Sequence, residues 1–379
     1  MTIYNNNKNN WSLSEIILRE LEEFSLRRQI VFYPKADIQI SKDELITIPL
    51  LKEREAALYQ QIVMELCSIF FRRTPIAVLP LKKGTFHLLY KIVFTNNECY
   101  IVRTSISRSP NRAFEFLVDG WIVEVLKQEE VPTVPVYCID LSRTVYPFDY
   151  EIMAEVLGTE LSAFEHKDSQ YIDPCLLSEL GQIVAQIHNV EATGFGLLDI
   201  RSILSKQNPQ GKGLLQTWEE YIHLNLETHL QTCINIGVIN QEEHKIIAKA
   251  FDSVYRISRD VRSCLLHGDL GHHNIFSDGQ HIIAIIDWED CLCGDPVFDI
   301  AFWGTFNRDY MLDSFLKGYR TIRQLPGDFE LRYWLYYLRI ALSKTVHRYR
   351  FDYPDRPGRP PASLRIQKAV EKLRSLGCC

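Results

Sequence analysis

Apolar residues recur at helical spacing near the start of the chain and then pass into strand-like runs, and this change of period divides the sequence. From Ser12 to Arg28, residues Ile16, Ile17, Leu21 and Phe24 fall on one side of a predicted amphipathic helix. After an irregular stretch containing Pro and Asp, a second helix is expected from about Leu51 to Phe71. It stops near Thr74-Pro75, because proline cannot continue a helix and disfavours helical backbone in the residue before it. From Ile76 the runs Ile76 to Leu81, Phe86 to Phe94, Cys99 to Ser105, Val134 to Ile139 and Tyr150 to Val156 are β-rich and are broken by turn residues such as Asn96-Asn97. They predict a five-stranded sheet. One helix interrupts it, from about Asn111 to Gln128, with Phe114, Leu117, Trp121, Val125 and Leu126 spaced to face the sheet.

After Gly158 the spacing is mostly helical, with candidate helices at about 174–190, 216–234, 241–258, 309–322, 328–350 and 361–375. The exception is a hairpin. Ile275-Phe276 and Ile282 to Ile286 flank Ser277-Asp278-Gly279-Gln280, and Asp-Gly between apolar runs signals a turn because both residues tolerate positive φ. The expected architecture is α+β. Residues 1–50 form an N-terminal extension, 51–153 a small sheet lobe, and 154–379 a large helical lobe carrying the hairpin, with a connector near 153–158.

A chain of 379 residues with 46% hydrophobic content can bury a core large enough for two lobes. With 42 basic against 48 acidic residues the net charge is -6, which offers no electropositive footprint for nucleic-acid phosphates. The polar stretch Met1 to Lys8 lacks the apolar core of a secretory signal, and no later stretch reaches about 18 uninterrupted apolar residues. The expectation is a cytoplasmic protein with no membrane partner. Ten cysteines form no C-x-x-C pair, so neither a zinc ribbon nor a disulfide framework is expected, and the terminal Cys378-Cys379 pair reads as accidental rather than as a lipidation signal.

The chemistry concentrates in Leu266-His267-Gly268-Asp269-Leu270-Gly271-His272-His273-Asn274 and in Ile286-Asp287-Trp288, on either side of the hairpin. Asn274 offers a neutral oxygen and Asp287 an anionic one, a donor set that suits Mg²⁺ when water and ATP phosphates complete its shell. Asp269, five residues before the amide, is free to meet an acceptor hydroxyl. The pattern reads as a phosphoryl-transfer centre with Asp269 as the catalytic residue. His267, Asp269, His272 and His273 also carry a superficial likeness to a transition-metal site.

With Gly294-Asp295-Pro296 and Asp299 behind it, the ordered set resembles the aminoglycoside phosphotransferase family of kinase-like enzymes over roughly residues 70 to 350. The resemblance implies a bilobal protein-kinase-like fold, with an antiparallel sheet lobe that binds ATP and a helical lobe that holds the acceptor. It makes His267 a brace for the catalytic loop, ties Asp295 and Asp299 back to that loop, and leaves His188 a buried structural side chain. It places Arg103 at the nucleotide phosphates with Asp119 as its acidic partner, Glu115 being the rival. Gly84 and Thr85 fall in the phosphate-covering turn, which has a single glycine, and Ala154 C=O and Val156 N–H fall at the adenine.

The resulting expectation is an ATP-dependent O-phosphotransferase acting on a small hydroxylated molecule, aminoglycoside-like or another metabolite. The alternatives are a choline, sugar or amino-alcohol kinase of the same fold, a nucleotide-binding pseudoenzyme, and a metal hydrolase built on the histidines. A protein kinase is disfavoured, because no His-Arg-Asp, Asp-Phe-Gly or Ala-Pro-Glu segment is present. Seven acids between Asp287 and Asp313 face one base, Arg308, which favours a cationic acceptor such as an aminoglycoside or amino-alcohol only weakly, because two or three of them are committed to metal or structure.

Overall fold

The computed structural model describes residues 14–38, 42–82, 84, 87–106, 113–164, 172–204, 211–353 and 360–378. Five strands form one antiparallel sheet, namely β1 (Ala77–Leu81), β2 (His87–Val93), β3 (Cys99–Ser105), β4 (Val136–Asp140) and β5 (Tyr150–Ala154), in the order β1-β2-β3-β5-β4. All five are those expected from the sequence. Four helices belong to or flank this half of the chain: α1 (Glu15–Arg28), α2 (Pro34–Asp37), α3 (Lys42–Phe71) and α4 (Phe116–Lys127). α3 begins at Lys42 rather than Leu51. Pro49 is its eighth residue, past the first turn, so its missing N–H removes one intrahelical bond.

The sheet and α3 share one core, in which Tyr59, Val63 and Leu66 meet Tyr90, Ile92 and Val102. α4 does more than face the sheet, because eight of its twelve residues are buried, and its aromatic residues join the core of the large lobe. It therefore links the two cores. Asp119 lies on the buried face of this helix, which matters for its charge.

The large lobe is built mainly from helices at Pro174–Ile187, Asp309–Ile322, Phe329–Arg350 and Ala362–Ser375, close to their expected positions. The first two meet at glycines, since a Cβ on Gly181 would lie 2.0 Å from Phe315 O and one on Gly318 1.7 Å from Ser178 O. The helix expected over 216–234 is broken into Trp218–His223 and Leu226–Asn235 by Asn225, whose φ of 55° cannot continue a helix.

The hairpin pairs Ile275–Ser277 with Ile282–Ile285, and Thr159–Glu160 adds a third strand. The hairpin is not the lobe's only β structure, because Phe195–Leu198, Gly213–Leu215, Cys264–Leu266 and Leu292–Gly294 form a further four-stranded sheet. Strands of three or four residues are too short to establish a period of two. Among the described residues no helix is long and apolar enough to cross a membrane.

Candidate active site

The sheet and the hairpin enclose a cavity of about 650 Å³, within the range of small-molecule sites. Its lining combines the apolar side chains of Leu89, Ile101, Val136, Met153, Phe276 and Ile285 with the polar ones of Lys35, Arg103, Asp119, Asn274, Asp287 and Glu289. Ala154 and Val156 also line it, where the chain leaves β5. Gly84 lines it with φ +72°, and its carbonyl accepts a bond from Lys52 Nζ at 2.6 Å. Thr85 lies outside the described residues.

Arg103 projects from the middle of β3 and donates to Asp119 at 2.7 Å, so Asp119 is the partner and Glu115 is not. Glu115 instead meets His87 Nε2 at 3.1 Å. A second acid was missed from the sequence. Glu151 on β5 lies 2.8 Å from the same guanidinium and is fully buried. Burial raises Asp119 to about 6 against the pull of Arg103, and the charges of Asp287 and Glu289 add to the rise. Arg103 stays charged well above its ordinary value, since Glu151 and Asp119 outweigh its desolvation.

The loop from His267 to Asn274 is fixed through its backbone. Asp299 accepts from His267 N at 2.7 Å and Gly268 N at 3.0 Å, and it pairs with His188 at 3.2 Å. His267 receives Asp269 N–H on Nδ1 at 3.3 Å and reaches Ile286 O with Nε2 at 3.0 Å, which sets its tautomer and links the loop to the strand leading to Asp287. Gly268 has φ +79°, and a Cβ there would lie 2.2 Å from Asp290 O. Only glycine fits. Asp295 caps Val297 N at 3.0 Å and holds Arg332 at 2.9 Å and Tyr336 at 2.8 Å, so both tail acids are structural.

Asn274 and Asp287 flank the open end of the hairpin, where Ile275 pairs with Ile285 and Ile286 N donates to Asn274 O at 2.9 Å. Asn274 Nδ2 donates to Asp269 O at 3.0 Å, which leaves the amide oxygen for the cavity that Asn274 lines. Asp287 has left-handed backbone, φ 68° and ψ 61°, turning its carboxylate out of the strand line. Burial and the neighbouring Asp287 charge raise Glu289 above its ordinary value, against Lys35, His87 and Arg103. The oxygen donors of Asn274 and Asp287, with Glu289 also lining the cavity, suit a hard divalent cation.

The carboxylate of Asp269 meets two lysines, Lys344 at 2.8 Å and Lys35 at 3.3 Å. Burial alone would raise Asp269, but Lys344, Lys35 and His273 hold it far below the usual carboxylate range. Lys35 also lies 3.6 Å from Glu289 and 3.6 Å from Asp290. Of the acids of 287–313, Asp309 pairs with Lys368 at 3.1 Å on the surface, while Asp287 and Glu289 line the cavity. Among the described residues, His267, Asp269, His272 and His273 form no metal-ligand cluster. The group whose ligand atoms converge within 4.8 Å is His87, Glu115 and Glu289.

The sequence model of the phosphotransferase enzyme family (APH) matches residues 78–353. The chain belongs to that family. This phosphotransferase-family chain is 27% identical over 190 residues to hygromycin-B 4-O-kinase from Escherichia coli, a match that covers 48% of this chain and 48% of that protein. It thus spans about half the length of this curated relative. Its fold is that of a thermostable mutant of aminoglycoside phosphotransferase APH(4)-Ia in complex with ADP and hygromycin B, with a TM-score of 0.57 and 18% identity over 82% of this chain and 98% of that one. A putative fructosamine-3-kinase from Thermobifida fusca YX-ER1 also gives 0.57, with 17% identity over 83% and 97%. The kinase-like α+β fold expected from the sequence is the one the family member adopts.

Proposed function

We propose that the protein is an ATP-dependent O-phosphotransferase that transfers the γ-phosphate to a hydroxyl of a small molecule, aminoglycoside-like or another hydroxylated metabolite. What supports this reading is a cavity whose lining combines Asn274, Asp287 and Arg103 with apolar side chains, and the Asn274 amide that donates to the Asp269 backbone carbonyl at 3.0 Å. The family match supports it, as do relatives named for hygromycin B and fructosamine. In this reading residues 51–153 form the nucleotide-binding lobe and 154–379 the acceptor lobe, and the packing of 14–38 onto the large lobe attaches that part of the extension to the acceptor side.

The apolar side chains of this cavity would take the adenine, with Ala154 C=O and Val156 N–H at its edge. Arg103, fixed by Asp119 and Glu151, would meet α- and β-phosphate oxygens, with Gly84 near them. Mg²⁺ held by Asn274 and Asp287 would neutralise charge on the phosphates when bound. Asp269 accepts the hydrogen bond of the acceptor hydroxyl and aims its oxygen at the γ-phosphorus. A bond forms between that oxygen and phosphorus, the bond to the β,γ-bridging oxygen breaks, ADP leaves with the electron pair, and the hydroxyl proton departs by way of the carboxylate to solvent. So acidic a carboxylate contributes chiefly by positioning.

The test is a screen of the purified chain with Mg-ATP against hydroxylated small molecules, scored by ADP release and product mass, with Asp269→Asn alongside. That variant is expected to lose on the order of 10²-fold in turnover. Undiminished turnover would remove Asp269 from this role.

A further inference from the structure

The family match begins at residue 78, yet two groups at the catalytic carboxylate come from well before it. Tyr33 and Lys35 belong to α2 and the residue ahead of it. Lys35 Nζ lies 3.3 Å from Asp269, and Tyr33 OH accepts from Lys344 Nζ at 2.7 Å. Lys344, on the long helix Phe329–Arg350, donates in turn to Asp269 at 2.8 Å.

The way this segment is anchored separates a built part of the site from a removable plug. Asp37 accepts from Phe32 N at 2.7 Å and Tyr33 N at 2.9 Å, and it meets His229 Nε2 at 2.6 Å. His229 Nδ1 meets Arg339 at 2.9 Å, and that fully buried guanidinium stacks 3.5 Å above the Phe32 ring. Tyr221 OH donates to Phe32 O at 2.8 Å, and Arg28 donates to Glu289 O at 2.9 Å. Phe32, Tyr33 and Ala36 are buried in the core of the large lobe. Lifting the segment would take the Asp37 carboxylate from His229 and the Phe32 ring from Arg339, leaving that buried cation in the core without its acid, so the contact is permanent rather than a switch.

A carboxylate that must approach an acceptor hydroxyl also stands beside the phosphoryl group that arrives on it, and two negative groups at that range repel one another. Ammonium groups on both carboxylate oxygens counter that repulsion and fix the rotamer of the side chain. We propose that the segment around α2 is a permanent part of the active site, and that its Lys35, with Lys344, positions Asp269 and offsets the charge of the phosphoryl group delivered next to it. The proposal rests on the phosphotransferase reading above.

The experiment compares Lys35→Met and Lys344→Met, which keep the aliphatic stems, with Lys35→Arg and Lys344→Arg in the full chain. Thermal stability, KM for ATP, KM for the acceptor and kcat are measured for each, using an acceptor from the screen and also water, read as ADP release without added acceptor. The expected result is a kcat at least 10-fold lower in each Met variant, KM for ATP within threefold of wild type, and recovery of at least half the lost kcat in the Arg variants. A purely structural role would lower thermal stability or move KM without this split and would sink the inference, as would Met variants with kcat within threefold of wild type. If Asp269→Asn loses turnover while the lysine variants keep it, this inference falls and the phosphotransferase reading stands. If wild type releases no ADP with any acceptor or with water, both fall.

Discussion

Replacing Asp299 by Asn should destabilise the chain and loosen its catalytic loop, by an amount the structure allows to be worked out. The buried carboxylate takes His267 N–H at 2.7 Å and the His188 ring at 3.2 Å on one oxygen, and Gly268 N–H at 3.0 Å on the other. Asparagine keeps the shape but swaps one oxygen for an NH₂ group. Whichever oxygen survives, a buried loop N–H then faces another donor, at about 1–3 kcal/mol, and the remaining bonds lose their charge assistance, about 1 kcal/mol more. The expected loss is about 2–4 kcal/mol, read from urea unfolding of wild type and variant followed by tryptophan fluorescence. Burial by itself would raise Asp299, but the bond and charge of His188, the charge of His267 and the Gly268 N–H bring its pKa below the ordinary value. A depressed carboxylate stabilises the fold above its unfolded pKa of about 3.9 and loses that contribution as pH falls through the folded value. The gap between wild type and Asp299→Asn should therefore stay level from pH 8 to about 5 and narrow below about 4. A gap under about 1 kcal/mol at pH 7, or one that widens on acidification, would refute the reasoning.

Arg103→Lys should raise KM for ATP by about tenfold, because a single ammonium cannot reproduce the two-acid clamp of Asp119 and Glu151; steady-state kinetics at fixed acceptor would show it. Arg339→Met should lower stability by about 3–5 kcal/mol, since it leaves Asp37 and His229 in the core without their cation, and calorimetry of the variant checks this. Gly268→Ala should abolish turnover and reduce soluble yield, because its Cβ would lie 2.2 Å from Asp290 O on a backbone at φ +79°. Brief alkylation of the native chain should label exposed Cys175 first and spare buried Cys67, Cys138 and Cys233, whose thiols burial pushes up to about 12, and mass spectrometry before and after denaturation separates the two sets.

Local patterning carried the sheet lobe and the hairpin, because their strands are long enough to alternate or are bounded by strong turn residues. It failed at Val297–Phe306, a helix with nine of its ten residues buried, where an apolar face and a polar face never separate. The site divides in the same way. Asp269, Asn274 and Asp287 lie within one short stretch whose spacing carries the expected chemistry, and Asp119 is matched to Arg103 through the resemblance to the family pattern, a pair that forms at 2.7 Å. Glu151 faces Arg103 only through the β3–β5 register, which no local pattern specifies. Lys344 and Lys35 reach Asp269 across separations of 75 and 234 residues, and nothing near either lysine marks it as different from a surface one.

The left-handed backbone at Asp287 narrows what evolution can place there. Asparagine tolerates φ 68° nearly as well as aspartate, whereas most other side chains would strain the bend into Trp288. On the proposed phosphotransferase reading, one codon change would then remove the anionic ligand while keeping the loop and the lobes intact. The shortest path from catalyst to silent ATP sensor would run through that single position.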